Sequence, residues 1–548
     1  MREEKKGGML FSDMKTFEDG SRIQRIGFEL FRAKMYLPVS KAYRDDVINY
    51  GFAAPYLIFF EEQEMSDEEA KAYADREGIS EIAAGYGSSV LFLYPSAEGG
   101  YAGAGPELFK ELIDHSRIHQ YYEDGLIHFR NRFTGNYEEW FVRGANFRTY
   151  VYGKGAAADY IATKLIREIR GQGLWGEADI APAVYLLEGL SEVPVFDRRD
   201  VAVVSVANSE EINDEILSLA DHGMITEHAP YSDLYERFAK HYRRWNGTLT
   251  TEPDLEEIGI VREPGVCKVK TSPDNLGDDK GTEEHEIGYF AFYRKGLLEE
   301  GRKLPVLLCF HGGGDSALYM ADVSGWQMVA HDHDFLLIGV EHHMNSTATE
   351  AVELLEQLKS RYPIDETRVY CTGFSMGGCK SWDLYQEYPE VFAGAAPMDA
   401  TFEVGLNVFG KEAPKAINRN TPVAVFYCGG AASPLPELSC QAVKCCDRLE
   451  YILQVNDCKK QWNLSKTDQS GWEDPVQGMT GDRVEKFYDE SRGGTLTVHY
   501  FDSNDGRCIT AFSSVDNQGH EVRRHTCEEA WKFLCRFSRV NGELVMGS

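Results

Sequence analysis

The chain of 548 residues has no cysteine in its first 266 positions, although 12 follow from Cys267 onward. None of the 12 forms a C-x-x-C pair or a zinc-ligand spacing, so buried free thiols in a reducing compartment are expected. Cys309, Cys371 and Cys428 each end an apolar run of strand character, and Cys445-Cys446 lie in a helical pattern. No run of 18 apolar residues occurs, so no membrane span is expected. The opening stretch carries only the short apolar patch Met9-Leu10-Phe11. A secretory signal needs a longer apolar core, and a cytoplasmic location is therefore expected. Positive charge is also scarce: 57 Lys and Arg against 88 Asp and Glu give a net charge of −31. Such a surface repels phosphate backbones and anionic lipid, which argues against nucleic acid and membrane as partners. The phosphate-loop pattern G-x-x-x-x-G-K-[ST] is missing as well.

What is present is length, apolar content and alternation. At 548 residues the chain exceeds a single core, and 43% apolar with 12% aromatic residues suits well-packed domains. Buried-strand runs occur at Tyr56-Leu57-Ile58-Phe59-Phe60, Ser89 to Tyr94, Arg148 to Tyr152, Pro182 to Leu186 and Val201 to Val206. Helical patterns at Asp67 to Glu77, Pro106 to Asp114 and Ala158 to Arg170 fall between them. The second half repeats the alternation, with strands at Pro305 to Phe310, Phe335 to Val340, Val369 to Cys371, Phe392 to Met398 and Val423 to Tyr427. Helices are expected at Gly325 to His331 and Ala348 to Arg361. Strands alternating with helices give an α/β fold with mostly parallel sheets flanked by helices. Three segments are expected: a first domain at 1–245, a linker and entry hairpin at 246–284, and a second domain at 285–548 with an insertion near 440–490.

The chemistry concentrates at Gly373-Phe374-Ser375-Met376-Gly377, where Val369-Tyr370-Cys371 runs into a helical pattern. A strand, a G-x-S-x-G turn and a helix form a nucleophile elbow, the signature of an α/β-hydrolase. The turn lifts Ser375 above the sheet on a backbone with φ > 0, and its flanking glycines avoid collision. The N–H of Met376 then faces a developing oxyanion. His311-Gly312-Gly313-Gly314 directly follows the strand ending at Phe310, the position of the second oxyanion donor, supplied by Gly312 and Gly313. His311, Phe374 and His342 are candidates to line the substrate site, with a loop-bonding role for His311 as the plainer reading.

The base of this fold comes last in the chain, which selects His520 in Gln518-Gly519-His520-Glu521. His525 reads as a cap or surface residue and His499 as a packed one. The acid is open. It is expected after Tyr427, where Cys428 to Pro436 offers no aspartate and Glu437 is the nearest carboxylate. Asp399, Asp502 and Asp505 also qualify, since any carboxylate that fixes the imidazole tautomer suffices. His331-Asp332-His333-Asp334 and His342-His343 read as solvated turns, and neither metal nor cofactor is expected.

Matching Gly153-Lys154-Gly155 with Gly373-Phe374-Ser375 suggests that the first half is a degenerate, catalytically silent copy of the second, with Gly155 at the nucleophile position; the alternative is an unrelated Rossmann-like domain whose small elbow residues permit close helix–strand packing. Phe310 to Ala317, Ser324-Gly325-Trp326, Gly373 to Gly378 and Gly519-His520 resemble polyhydroxybutyrate depolymerases and feruloyl-esterase-like α/β-hydrolases over roughly residues 285–540. The resemblance implies a serine esterase that acts through an acyl-enzyme on a small or oligomeric ester. Two competing readings are a prolyl-oligopeptidase-like serine peptidase and a non-catalytic pseudo-hydrolase binding protein. The insertion, with Tyr451, Trp462 and Trp472, is read either as a lid over the site or as its own small core. The silent half is read as a cover for the cleft or a homodimer surface.

Overall fold

Apolar runs too short for helices form the sheets, and the amphipathic segments between them form the covering helices. The computed structural model describes all residues except 1–3, 7–8, 52, 109–117, 124–125, 132–143, 145, 167–180, 195–199, 246–247, 314, 342–345, 401–402, 408–409, 434–445, 462–479 and 548. Two units result, residues 1–45 with 50–254 and residues 46–49 with 255–548.

The first unit is built on β1 (Arg22–Gly27), β2 (Phe31–Leu37), β3 (Tyr56–Phe60), β4 (Val90–Pro95), β5 (Thr149–Lys154), β6 (Val184–Glu188), β7 (Ala202–Val206) and β8 (His222–Thr226). They lie in the order β1-β2-β4-β3-β5-β6-β7-β8, with short strands beyond β1 extending that edge. β2 runs antiparallel to both neighbours, while β4 through β8 are parallel. Every residue of β3, β6 and β7 is buried, as strands covered on both faces require. Helix α1 (Asp67–Arg76) starts at Ser66, whose hydroxyl and Glu69 form a capping box. After β5, Gly155 turns the chain into α2 (Ala156–Tyr160). The helix expected over Pro106 to Asp114 lies mostly outside the described residues.

The second unit comprises β9 (Ile260–Lys270), β10 (Glu284–Arg294), β11 (Leu304–Phe310), β12 (Leu336–Val340), β13 (Ile364–Phe374), β14 (Gly394–Met398), β15 (Ala424–Gly430), β16 (Arg483–Tyr488), β17 (Thr495–Asp502) and β18 (Cys508–Val515). Their order is β9-β10-β12-β11-β13-β14-β15-β18-β17-β16. Its first seven places repeat the pattern of the first unit, again with an antiparallel second strand. Covering helices include α3 (Ala317–Ser324), α4 (Trp326–Asp332), α5 (Ala348–Arg361), α6 (Met376–Glu387), α7 (Cys446–Val455) and α8 (Arg524–Leu534).

The stretch expected as a linker and entry hairpin, 246–284, contains two strands. Tyr242–Trp245 pairs with Thr248–Thr251 in the first unit, and β9 forms the edge of the second sheet, with 271–283 as its hairpin loop. Its polar residues belong to an edge hairpin that alternates buried and exposed positions, which composition alone does not separate from a linker. Tyr451 of the insertion is buried on α7, packs edge-on against Tyr385 at 6.0 Å and donates its hydroxyl to the Asn418 carbonyl at 2.6 Å. It belongs to the main core of the unit; Trp462 and Trp472 lie outside the described residues.

Candidate active site

The site is assembled at the carboxyl ends of β11, β13, β14 and β15. β13 is held in register on both sides, with Gly373 opposite Phe310 of β11 and Phe374 opposite Met398 of β14. Ser375 follows at φ 51° and ψ −116°, a conformation costly for any residue but glycine. Its N–H donates to the Met398 carbonyl at 3.1 Å, which ties the turn to the sheet. The glycines around it answer to close approach. A Cβ on Gly373 would fall 2.3 Å from the Gly377 backbone, and one on Gly377 only 2.1 Å from the Phe310 carbonyl oxygen. Helix α6 therefore starts directly against the strands. The Met376 N–H opens its first turn, where no intrahelical acceptor exists.

His520 sits in the loop between β18 and α8. That loop is seated on the end of β15, where a Cβ on Gly430 would lie 2.2 Å from the Gly519 carbonyl oxygen. The Ala432 N–H donates to the Gln518 carbonyl at 2.9 Å, and the His520 ring tilts over Phe374 with centroids 4.6 Å apart. His520 Nδ1 lies 2.5 Å from Asp399 Oδ2. Asp399 is fully buried and takes the Gly430 N–H on Oδ1 at 3.1 Å and the Ser433 hydroxyl on Oδ2 at 3.4 Å. An Nδ1–H directed at this carboxylate leaves Nε2 as the ring's acceptor.

The carboxylate on the histidine is thus Asp399 at the end of β14. Glu437, the expected acid, lies outside the described residues. The reason is geometric. β15 ends in Gly429-Gly430, pressed against the histidine loop with no room for a side chain at Gly430. Asp399, at φ 42°, instead turns its carboxylate across from β14. Aspartate tolerates this left-handed region better than most residues. The sequence signal was a lone aspartate closing a buried run, Ala395-Ala396-Pro397-Met398-Asp399. Asp502 and Asp505 are engaged with cations instead, Asp502 with Lys459 at 3.4 Å and Asp505 with Arg507 at 2.6 Å.

The loop after β11 approaches the same place. His311 is buried and its Nδ1 lies 2.8 Å from the Gly312 carbonyl oxygen, so the ring braces its own loop. Phe374 is wedged between two parts of the site, since a Cβ on Gly312 would touch its ring at 3.0 Å while His520 lies on it. Both were candidates to contact substrate, and both hold other site residues in place. Gly312 and Gly313 are described, whereas Gly314, His342 and His343 are not. Asp315 closes the loop; protein atoms withhold water from its carboxyl and push it up to about 7. Just past β12, burial pushes Glu341 up to about 8.

Four further histidines singled out by the sequence lie among the described residues. His499 is buried on β17 and accepts the Gly481 N–H at 3.2 Å, and His525 falls in the first turn of α8. His331 pairs with Asp332 at 2.8 Å and His333 with Glu528 at 2.6 Å, while Asp334 binds Arg294 and Arg302. Among the described residues no group of three or more His, Cys, Asp or Glu could hold a metal ion.

The first unit carries a similar framework with different residues at the corresponding positions. Gly155 has φ 53° and ψ −124°, and its N–H donates to Glu188 O at 2.9 Å, matching the backbone of Ser375. Gly189 occupies the place of Asp399, its N–H donating to the Val206 carbonyl at 3.1 Å as that of Asp399 donates to Cys428 at 2.7 Å. Through the pairings Gly153 with Phe60 and Gly373 with Phe310, Glu61-Glu62-Gln63-Glu64-Met65-Ser66 stands where the second unit has His311-Gly312-Gly313-Gly314-Asp315-Ser316. Both serines cap the helix that follows.

No protein-family model matches the chain. It is 30% identical over 135 residues to a bifunctional acetylxylan esterase/xylanase of Neocallimastix patriciarum, covering 23% of this chain and 19% of that protein. It is 25% identical over 113 residues to poly(3-hydroxyalkanoate) depolymerase C of Paucimonas lemoignei, covering 17% and 27%. The matched stretches thus span well under half the length of either relative. Among solved structures, an acetyl xylan esterase from Aspergillus awamori aligns over 50% of this chain and 99% of its own, at 11% identity and a TM-score of 0.33. S-formylglutathione hydrolase from Staphylococcus aureus aligns over 38% and 88%, at 17% identity and a TM-score of 0.26. In its strand order and its G-x-S-x-G elbow the second unit is similar to the esterase-like α/β-hydrolases, the class these sequence relatives are named for.

Proposed function

We propose that the second unit is a serine esterase that cleaves carboxylic esters through an acyl-enzyme, and that the first unit is catalytically silent. The observation that carries this reading is the buried 2.5 Å contact between His520 and Asp399, set beside a serine held at φ 51° on an elbow. Asp399 fixes the Nδ1–H tautomer and stabilises the imidazolium, while Nε2 takes the proton of Ser375. Ser375 Oγ attacks the ester carbonyl, and the oxyanion is met by the Met376 N–H and the loop after β11. His520 then protonates the departing alcohol; water, deprotonated by the same histidine, releases the acid and restores the serine. The relatives named for acetylxylan and poly(3-hydroxyalkanoate) make an ester borne on an oligomer the favoured substrate class.

The test is hydrolysis of p-nitrophenyl esters from acetate to octanoate, together with labelling by a fluorophosphonate. Ser375→Ala should remove both. Asp399→Asn should lower kcat by about 10³- to 10⁴-fold with little change in KM, because the wrong tautomer then faces the serine. A comparable loss in Glu437→Gln, with Asp399→Asn active, would return the acid to Glu437.

A further inference from the structure

We propose that Arg523 is a positioning residue for His520, and that through it the β16–β17 hairpin seats the histidine for catalysis. The inference rests on the esterase reading above. Arg523 is buried and is the residue on which the chain turns into α8. That place is ordinarily taken by Ser, Thr, Asp or Asn, whose side-chain oxygen accepts a free N–H of the helix. An arginine has no acceptor to offer, and its side chain makes no such bond. The guanidinium turns back over the histidine loop instead, with all five of its N–H groups engaged. Nε donates to Glu521 Oε1 at 3.0 Å. Nη1 donates to the Gly493 carbonyl at 2.9 Å and to Asn517 Oδ1 at 2.8 Å. Nη2 donates to the Asn517 carbonyl at 3.3 Å and to Glu521 Oε1 at 2.7 Å. One side chain thus ties the residues on both sides of His520 to the turn between β16 and β17. That turn is shaped by Asp489 Oδ1, which accepts the Ser491 and Arg492 N–H groups at 3.0 and 3.2 Å. It presses directly on the loop, since a Cβ on Gly494 would fall 1.9 Å from Asn517 Oδ1.

The first unit supplies an internal comparison. His228 follows β8 as His520 follows β18, and its Nδ1 lies 3.2 Å from Glu188 Oε1. Among the described residues that sheet ends at β8, with no strands in the place of β17 and β16. Three residues past the histidine stands Tyr231, where the second unit has Arg523. The side chain of His228 is 62% exposed and that of His520 only 11%. The arginine and the hairpin accompany the histidine of the unit whose elbow carries a serine, and the histidine of the unit with Gly155 stands open to solvent.

The experiment compares wild type, Arg523→Ala, Arg523→Lys and Arg492→Ala in p-nitrophenyl ester hydrolysis. Turnover is counted per serine labelled by a fluorophosphonate at completion, so that unfolded protein drops out. Arg523→Ala should lower kcat about 10- to 100-fold with KM nearly unchanged, because a displaced base costs rate while the substrate contacts stay. The rate of fluorophosphonate labelling should fall in parallel, since it draws on the same base. Arg523→Lys should remain about 5- to 20-fold impaired, as a single ammonium cannot bridge the acceptors that the planar fork reaches. Arg492→Ala loses only an exposed bond to Glu521 Oε2, at 2.9 Å, and should stay within about twofold of wild type. If the alanine variant does not fold by circular dichroism, Arg523→Lys carries the test, since it keeps a cation beside Glu521 and Asp489. Wild-type kcat in either folded Arg523 variant would overturn the proposal, as would a raised KM at unchanged kcat. An Arg492→Ala loss as large as that of Arg523→Ala would overturn it too, because charge on Glu521 would then suffice. An inactive wild type that no fluorophosphonate labels would instead overturn the esterase reading.

Discussion

Asp399 and Glu341 show how far the surroundings of a carboxylate decide its use. Asp399 is wholly buried and meets an imidazole, a backbone N–H and a hydroxyl. Glu341 is as deeply buried, with no hydrogen bond to either carboxylate oxygen among the described residues, so desolvation dominates and raises it to about 8 from an ordinary 4.5. A raised folded-state value makes the sign definite: the contribution to stability is complete below pH 4.5 and is lost as pH rises through 8. Glu341→Gln should therefore gain stability relative to wild type across that window, on the order of a few kcal/mol by pH 8.5. Denaturant melts at pH 5 and pH 8.5 measure it, and an equal difference at both would refute the assignment. Cysteine follows the same rule in simpler form: burial pushes the Cys428 thiol up to about 12.

At the scale of elements, the site depends on how closely helix α6 meets β11 and β13. Gly377→Ala would force its methyl group to within 2.1 Å of the Phe310 carbonyl oxygen, a backbone atom that cannot rotate away. Phe310 leads directly into the loop of His311 and Gly312, so relief of the clash moves that loop. The expected result is a loss of about 1–3 kcal/mol in stability or more, with a larger proportional fall in kcat than in binding. Unchanged kcat together with an unchanged Tm would show that the strands shift freely. Much at this scale was legible beforehand. The helix expected at Ala348 to Arg361 is found at Ala348–Arg361, and the strand expected at Phe335 to Val340 at Leu336–Val340. Apolar period and capping residues act locally, which is why such elements can be read from a linear string. The edge strand β9 escaped because a half-exposed strand looks like polar linker when its partner is unknown.

The two units share the order of their first seven strands but differ in the residues at the elbow. The first unit has glycine at the nucleophile and acid positions, and carboxylates where an oxyanion would need donors. Restoring one group should therefore restore nothing. Gly155→Ser meets mainly the flexible end of Glu62, at 2.6 Å from the new Cβ. It should fold with a cost of about 1–2 kcal/mol for the left-handed conformation. Ester hydrolysis should stay at the wild-type rate and no fluorophosphonate should attach at position 155; attachment there would mean that the first unit retains a working site. Among the described residues no helix is long and apolar enough to cross a membrane.

By itself the sequence determined the parts whose physics is local: the alternation of strand and helix, the elbow at Ser375, the glycine loop after Phe310, the histidine at 520, and a matching elbow at Gly155 without its serine. Each is a short pattern with a steric or hydrogen-bonding cause inside a few residues. Only the tertiary structure brings Asp399 against His520, from 121 positions away, through a turn set by the pairing of β14 with β13 and β15. It also decided that His311 and Phe374 brace the site. Their neighbours in space come from β11, β13 and the loop before α8, and no spacing along the chain encodes that meeting.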